Sequence, residues 1–501
     1  MKIEKVLYQY FRYSNFREGQ REVIESVLSK KNTIAVLPTG TGKSLCYQLP
    51  GYIFSGHIII VSPLLSLMQD QVEQMRAMGE KRVVAINSFL TRDQKFNILM
   101  HIKRYKFIFV SPEMLQTMKI IQILKELEIS LFVVDEAHCI SQWGYDFRPD
   151  YLKLGEIRNQ LGKPLTITLT ATATEEVRRD IARYLHLESW EEFIFSVDRP
   201  EIALEVEEVS QREKWERAVE LAGRLQGPGI IYFSSKRLAE KMANKLRIQG
   251  EQAMAYHGGL DPESRILIQQ QFIHDQLNII CATSAFGMGI NKDNIRFIIH
   301  YHIPLQLEAY LQEFGRAGRD GKESIAILLY SPGDEQLSFH LAESELPEYE
   351  QIDHFFTLLK ESQLSFRDLK EQEQLIASCN FTETQWRIVD YFIHETEGTD
   401  FEKVSELLKQ YIVNRLQVKK RKIFEMIEYI QENNCKRSFL LHYFGETSAS
   451  KTENCCNNCG FSIDVFMNKN LPAETVLTNY NWKIDLASML LRQVSDENEK
   501  K

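Results

Sequence analysis

The sequence predicts an α/β protein of two tandem parallel-sheet domains, followed by a helical module that binds a metal. Three observations carry this prediction. Short apolar, β-branched runs alternate with helical patterns through the first two-thirds of the chain, and strands buried on both faces of a parallel sheet read in this way. Beyond Pro332 the character changes: Glu, Leu, Lys and Gln dominate, with few strand formers. Four of the eight cysteines, Cys435, Cys455, Cys456 and Cys459, then cluster near the C-terminus. In a cytosolic chain such a cluster points to a metal rather than to disulfides.

The first set of strands is Thr33–Leu37, Ile58–Val61, Phe107–Val110, Leu131–Val134 and Thr166–Leu169. The second is Gly229–Phe233, Asn278–Cys281, Phe297–His300 and Ile325–Leu329. Between them Ser196–Glu201 reads as a linker, with Pro200 as a helix stop. The expected domains are therefore 1–200 and 201–335, a helical region 336–434, a metal module 435–465 and a short tail 466–501. Within the helical region, Phe381–Trp386 carries a capping-type start with Thr382 or Thr384 as the cap.

Composition bounds the function classes. A chain of 501 residues suits several domains. No run approaches the ~18 apolar residues of a membrane span, and Met1–Lys5 lacks a signal-peptide core. The expectation is a cytoplasmic protein without a membrane partner. The formal charge of −9 argues against a uniformly basic coat, but a local basic track suffices for phosphate contacts. The segment Arg415–Arg437, centred on Lys419–Lys422, is a candidate track; a solvated helix face explains its charge equally well.

Leu37-Pro-Thr-Gly-Thr-Gly-Lys-Ser44 follows a strand and precedes a helix start at Leu45. Glycines here let backbone N–H groups of Thr39, Gly40, Thr41 and Gly42 converge on phosphate oxygens. Lys43 would neutralise the β- and γ-phosphates and Ser44 would ligate magnesium. Leu37 stands where the strict loop pattern has glycine, which fits a helicase variant of the loop better than the GTPase type. Asp135 and Glu136 close the strand Leu131–Val134, at the strand edge where α/β folds bind ligands. Asp135 would hold magnesium and Glu136 would polarise the attacking water. The second domain supplies Gln312-Glu-Phe-Gly-Arg-Ala-Gly-Arg319, expected to set Arg316 and Arg319 on one helix face as arginine fingers, with Gln312 beside them.

This set of motifs resembles superfamily 2 helicases, and specifically the RecQ family of DNA helicases, from about Phe11 to Cys459. Phe11–Gln20 resembles the family's adenine motif, which implies that Tyr13 and Arg17 sandwich the base and Gln20 reads its edge; Arg12 stands where the family has glycine. Val61–Gln71 and Phe109–Glu113 resemble DNA-facing motifs, and Leu169–Ala173 and Ala285–Asn291 resemble coupling motifs. Ala137–Arg148 is similar to the aromatic-rich loop of RecQ proteins, although Tyr145 replaces the usual histidine. Trp143 and Phe147 offer flat faces for base stacking, worth ~1–3 kcal/mol per base, and Arg148 adds a phosphate or stacking contact.

Cys456-Asn-Asn-Cys459 has the spacing of a zinc half-site. The resemblance implies a zinc on all four clustered cysteines. The adjacent Cys455 and Cys456 are expected to strain a tetrahedral site, with His442 as the fallback ligand. Arg437 and Lys419–Lys422 are expected to grip duplex DNA. Only about 40 residues follow Cys459, too few for the family's winged-helix domain, whereas Leu346–Glu432 is long enough for a compact winged-helix-like insert. The resemblance is to a short bacterial form. It implies ATP, magnesium and zinc as cofactors and a 3′-to-5′ motor acting on single-stranded and forked DNA in repair or recombination. It also implies a nucleoid-associated setting, with a single-stranded DNA-binding protein and other repair proteins as partners. An RNA helicase, and a DNA-stimulated ATPase or adaptor without autonomous unwinding, remain the alternatives.

Overall fold

In the computed structural model the described residues are 3–63, 65–87, 90–141, 149–286, 292–361, 378–395, 400–447 and 452–467. The first sheet contains β1 (Thr33–Val36), β2 (His57–Val61), β3 (Val83–Ile86), β4 (Phe107–Val110), β5 (Ile129–Val134), β6 (Thr166–Thr170) and β7 (Glu191–Ile194). Its order is β3-β4-β2-β5-β6-β1-β7, and every pair is parallel. The second contains β8 (Ile202–Glu208), β9 (Gly229–Tyr232), β10 (Ala253–Tyr256), β11 (Ile279–Ala282), β12 (Phe297–His300) and β13 (Ser324–Tyr330). Its order is β10-β11-β9-β12-β13-β8, again all parallel.

Every sequence-predicted strand is present. The four that the sequence did not disclose, β3, β7, β8 and β10, are the four sheet edges. Three of them lack a continuous buried run: Glu191–Ile194 alternates partly buried with exposed residues, Ile202–Glu208 ends in acidic residues, and the middle of Ala253–Tyr256 is only half-buried. Polar interruption at an edge blunts pairing with other chains, and it also removes the apolar signal. Val83–Ile86 is fully buried and carries the same four-residue apolar signal as the interior strand Phe107–Val110.

In the first sheet β6 lies between β1 and β5. The residues that follow β1 and β5 therefore emerge at the same end of the sheet, on either side of β6. In the second, the helix Leu307–Phe314 buries Leu307, Tyr310, Leu311 and Phe314, an i, i+3, i+4, i+7 stripe. That stripe packs on the core of the second sheet and turns Gln312 the other way.

The chain beyond β13 is helical among its described residues up to Tyr443, with a core of its own built from Phe355, Phe356, Trp386, Leu408 and their neighbours. Thr382 is the cap of helix Glu383–Glu395: its hydroxyl accepts from the Gln385 N–H at 3.2 Å, and its own N–H donates to Gln385 Oε1 at 2.9 Å. Helix Phe401–Gln431 runs 31 residues from an Asp400 cap. Its far end and helix Lys436–Tyr443 join the second sheet's core through Met426, Tyr429, Leu440 and Leu441. The cysteine segment covers edge strand β8, the Leu204 N–H donating to the Cys455 carbonyl at 3.1 Å. No helix among the described residues is long and apolar enough to cross a membrane.

Candidate nucleotide and metal sites

The phosphate loop leaves β1 with the Leu37 N–H bonded to the Thr170 carbonyl of β6 at 2.9 Å. Gly40 and Gly42 both have left-handed backbones, φ 87° and 75°, which glycine adopts without steric cost. A Cβ on Gly40 would lie 3.0 Å from Arg319 Cγ. Arg319 of the second domain thus packs directly on the loop of the first. Lys43 and Ser44 are half-buried at the start of helix Leu45–Ile53.

Gln20 is buried, 3% exposed, and its amide is committed to the loop. It donates to the Thr41 carbonyl at 2.6 Å and the Gly42 carbonyl at 3.1 Å, and accepts from the Arg17 N–H at 2.9 Å. The Arg17 guanidinium bonds the Gly40 carbonyl. The expected base-recognition residues therefore also brace the phosphate loop. Tyr13 is exposed beside them. Arg12, at the family's glycine position, keeps the left-handed backbone a glycine would supply, φ 59°.

Asp135 and Glu136 lie at the end of β5, the Asp135 N–H on the Val61 carbonyl at 2.9 Å. Asp135 Oδ1 accepts from the Glu136 N–H at 3.0 Å, with Glu136 in the left-handed region, φ 48°. Such a non-glycine conformation costs of order 1–3 kcal/mol and is found where function over-determines the backbone. Burial, and then the neighbouring Glu136, push the Asp135 carboxyl up to about 7, while Lys43 pulls the other way. A divalent cation bound there would favour the ionised carboxylate and bring it down again.

His138, two residues past Glu136, is a residue to which the sequence reading assigns no role. It is fully buried, and burial holds its pKa down against the upward pull of Glu136. Its Nδ1 lies 3.0 Å from Thr170 Oγ1 and 3.4 Å from Glu136 Oε2. Its Nε2 lies 3.4 Å from Gln312 Nε2, which also donates to Thr172 Oγ1 at 3.1 Å. Gln312 thus joins the second domain to His138, which itself lies against Glu136, and to Thr172 past β6 at once.

The expectation that Arg316 and Arg319 share a helix face is corrected. The helix ends at Phe314, and both arginines lie in the following turn, which passes through Gly318 at φ 62°. Gly315 ends the helix by coming against Thr39, whose hydroxyl donates to the Gly315 carbonyl at 2.7 Å; a Cβ there would meet Thr39 Oγ1 at 2.6 Å. Arg316 is buried. Burial, followed by repulsion from Arg316 and Arg199, brings Arg319 down to about 9. Trp143, Tyr145, Phe147 and Arg148 of the aromatic-rich loop lie outside the described residues, as do Gly287–Asn291 of the second coupling motif.

The four clustered cysteines converge, their sulfurs all within 4.8 Å of one another. Four thiolates ~2.3 Å from one tetrahedral zinc stand ~3.8 Å apart, so the donor set and spacing fit zinc. The adjacent pair reaches the cluster without a left-handed residue, Cys456 being extended at φ −158°. His442 lies exposed on its helix and is not part of the group. Burial raises the Cys435 thiol, but hydrogen bonding from Ser438 at the helix start outweighs it and sets the group at about 7.

Of the basic residues expected to grip DNA, Arg437, Lys419 and Lys422 are engaged within the molecule, whereas Arg421 is 57% exposed and lies 3.7 Å from Glu425 of its own helix. Arg437 is 5% exposed; it bonds Asp198 Oδ1 at 2.6 Å and the Arg199 carbonyl at 2.8 Å. Lys419 pairs with Glu345 at 2.6 Å, Lys420 with Glu343 at 2.9 Å and Lys422 with Glu308 at 2.6 Å. Lys419, Lys420 and Lys422 thus tie the long helix to the elements beneath it. A periodic basic sequence does not reveal that acidic partners face it.

Three family models match in register with this architecture: DEAD/DEAH box helicase over 17–180, the helicase conserved C-terminal domain over 213–321, and RecQ zinc-binding over 398–461. Two parallel sheets facing one nucleotide cleft, with these matches, define a DEAD/DEAH-box-type helicase motor. The chain is 45% identical over 472 residues to the probable ATP-dependent DNA helicase RecS of Bacillus subtilis, covering 93% of this chain and 94% of that protein. It is 42% identical to the ATP-dependent DNA helicase RecQ of Pasteurella multocida over 66% of this chain and 52% of that protein. The chain belongs to the RecQ family, in its short bacterial form. Helicase Lhr of Mycobacterium smegmatis, solved with single-stranded DNA and a nucleotide analogue, shares the fold: TM-score 0.55 at 20% identity, over 69% of this chain and 50% of that one.

Proposed function

We propose that the protein is an ATP-dependent DNA helicase that moves 3′ to 5′ along single-stranded DNA and separates duplexes during repair or recombination. The observation that carries this reading is the meeting of two half-sites across the cleft: Arg319 packs on Gly40, and Gln312 reaches His138 and Thr172. Lys43 and the loop N–H groups would hold the phosphates, and magnesium, held by Ser44 and Asp135, would offset their charge. Glu136 would take the proton of the attacking water. Arg316 and Arg319 would stabilise charge in the transition state. Tyr13, Arg17 and Gln20 would hold the base, so that base binding and loop conformation change together. Trp143, Phe147 and Arg148 would carry DNA contact to the carboxylate a few residues upstream. Polarity, these residue roles, the nucleoid setting and a single-stranded DNA-binding protein partner belong to this proposal.

The test is ATP hydrolysis with magnesium, titrated with single-stranded DNA and, in parallel, with RNA. The expected result is stimulation by DNA, lost in Lys43→Ala while DNA binding persists. Hydrolysis that survives Lys43→Ala would overturn the site, and equal stimulation by RNA would overturn the substrate.

A further inference from the structure

The connection between the sheets, 195–201, reads as an ordinary linker, yet its backbone is held at almost every residue. The Phe195 N–H donates to the Val36 carbonyl at 3.0 Å, just before the phosphate loop. Glu446, just past helix Lys436–Tyr443, accepts from Ser196 Oγ at 2.5 Å and from the Val197 N–H at 2.7 Å. Arg437 of the same module takes Asp198 Oδ1 and the carbonyls of Arg199 and Ile202. A linker held this way does not swivel freely; it presents Arg199 in one direction.

That direction is the nucleotide cleft. Arg199 is 8% exposed. Its Nη1 donates to the Gly315 carbonyl at 2.7 Å and lies 3.3 Å from Thr39 Oγ1 and 3.4 Å from the Thr39 carbonyl. Its Nη2 donates to the Ala317 carbonyl at 2.8 Å, and Nε pairs with Glu201 Oε1 at 2.5 Å. One planar fork therefore spans a phosphate-loop residue and the two carbonyls that flank Arg316. A lysine, a single point charge on a flexible stem, cannot span them at once.

We infer that Arg199 is a positioning residue of the nucleotide cleft, fixing the phosphate loop against the arginine-bearing turn, and that the helical cysteine module sets it there through Arg437 and Glu446. This rests on the reading of the cleft as an ATP site. It gives the module a route to the cleft that needs no direct contact with nucleotide. When the module grips the linker, Arg199 holds Thr39 and Gly315 in contact; when the grip loosens, the arginine turn loses its register with the loop.

The experiment compares the full-length chain with Arg199→Ala, Arg199→Lys and Glu446→Gln. It measures Tm, kcat and KM for ATP across a DNA titration, and the rate of proteolytic nicking within 195–201. Misplacement of reacting groups by about 1 Å costs up to ~100-fold. Arg199→Ala is therefore expected to lower DNA-stimulated kcat about tenfold or more, with KM for ATP changed less than roughly threefold. Arg199→Lys recovers only part of that loss. Glu446→Gln, at unchanged Tm, lowers kcat in the same direction by less and speeds nicking. A kcat within about twofold of the unmodified chain in Arg199→Ala would overturn the inference. So would a Glu446→Gln chain of native Tm whose kcat and nicking rate are unchanged. Lys43→Ala runs alongside. If the unmodified chain hydrolyses ATP no faster than Lys43→Ala, the ATP-site reading falls, and the nicking comparison alone then decides whether the module holds the linker.

Discussion

Replacing Gln312 with alanine removes a side chain that reaches, from across the cleft, both His138 beside the Asp135–Glu136 pair and Thr172 just past β6. Two hydrogen bonds are lost, to His138 Nε2 at 3.4 Å and to Thr172 Oγ1 at 3.1 Å. Each is worth about 0.5–1.5 kcal/mol net, so the pair contributes about 1–3 kcal/mol. At 1.36 kcal/mol per factor of ten, that corresponds to a roughly 5- to 150-fold loss in kcat if the bonds persist in the transition state. Neither bond touches Tyr13, Arg17 or the loop carbonyls bound by Gln20, so KM for ATP should move little. The assay is steady-state hydrolysis with saturating single-stranded DNA, with Tm as the control for folding. Gln312→Glu refines it: the carboxylate keeps the length and can accept from the Thr172 hydroxyl but has no N–H to donate towards His138 Nε2, so it should rescue at most in part. A Gln312→Ala chain whose DNA-stimulated kcat stays within about twofold of the parent would refute the coupling role. A loss confined to KM would refute it equally.

Three further outcomes follow from the same geometry. Gly40→Ala places a left-handed alanine, costing about 1–2 kcal/mol, with its Cβ 3.0 Å from Arg319 Cγ; kcat should fall as Arg319 is displaced, which stopped-flow hydrolysis would read. Cys459→Ser should lower bound zinc, measured by elemental analysis, and lower Tm, because the binding energy of a structural zinc is folding energy. Arg437→Ala leaves the partly buried Asp198 without its ion-pair partner and should cost stability, with about 3–5 kcal/mol, the figure for a fully buried pair, as the upper bound. The salt dependence of its DNA affinity, measured on chains of matched folded fraction, should be unchanged, because Arg437 faces the linker rather than solvent.

The sequence disclosed the interior of both sheets and the residues that follow them, because buried parallel strands are continuous apolar runs and the phosphate loop has a fixed spacing. It did not disclose the sheet edges: acidic residues break the apolar run in β7 and β8, and β10 is only half-buried at its middle, whereas β3 is as apolar and buried as the interior strands. It placed Arg316 and Arg319 together but on a helix, since Gly315 and Gly318 end that helix through a contact with Thr39 that lies 276 residues away in the chain. It read Lys419–Lys422 and Arg437 as a DNA grip because charge periodicity is visible and partners are not. Arg199 was hidden for a related reason: a polar stretch beside a proline looks like linker, and only the fold brings Gly315, Ala317 and Thr39 around it. The adjacent cysteines were legible as ligands, but an extended Cys456 that needs no strained backbone was not.

The central claim is that hydrolysis in this cleft drives strand separation. The most direct measurement is unwinding of duplexes bearing either a 3′ or a 5′ single-stranded tail, with ATP and magnesium, recording hydrolysis in the same reactions. The account predicts separation of the 3′-tailed duplex and not the 5′-tailed one, abolished in Lys43→Ala. DNA-stimulated hydrolysis with neither duplex separated would contradict it, and would make the protein a translocase or adaptor rather than a helicase.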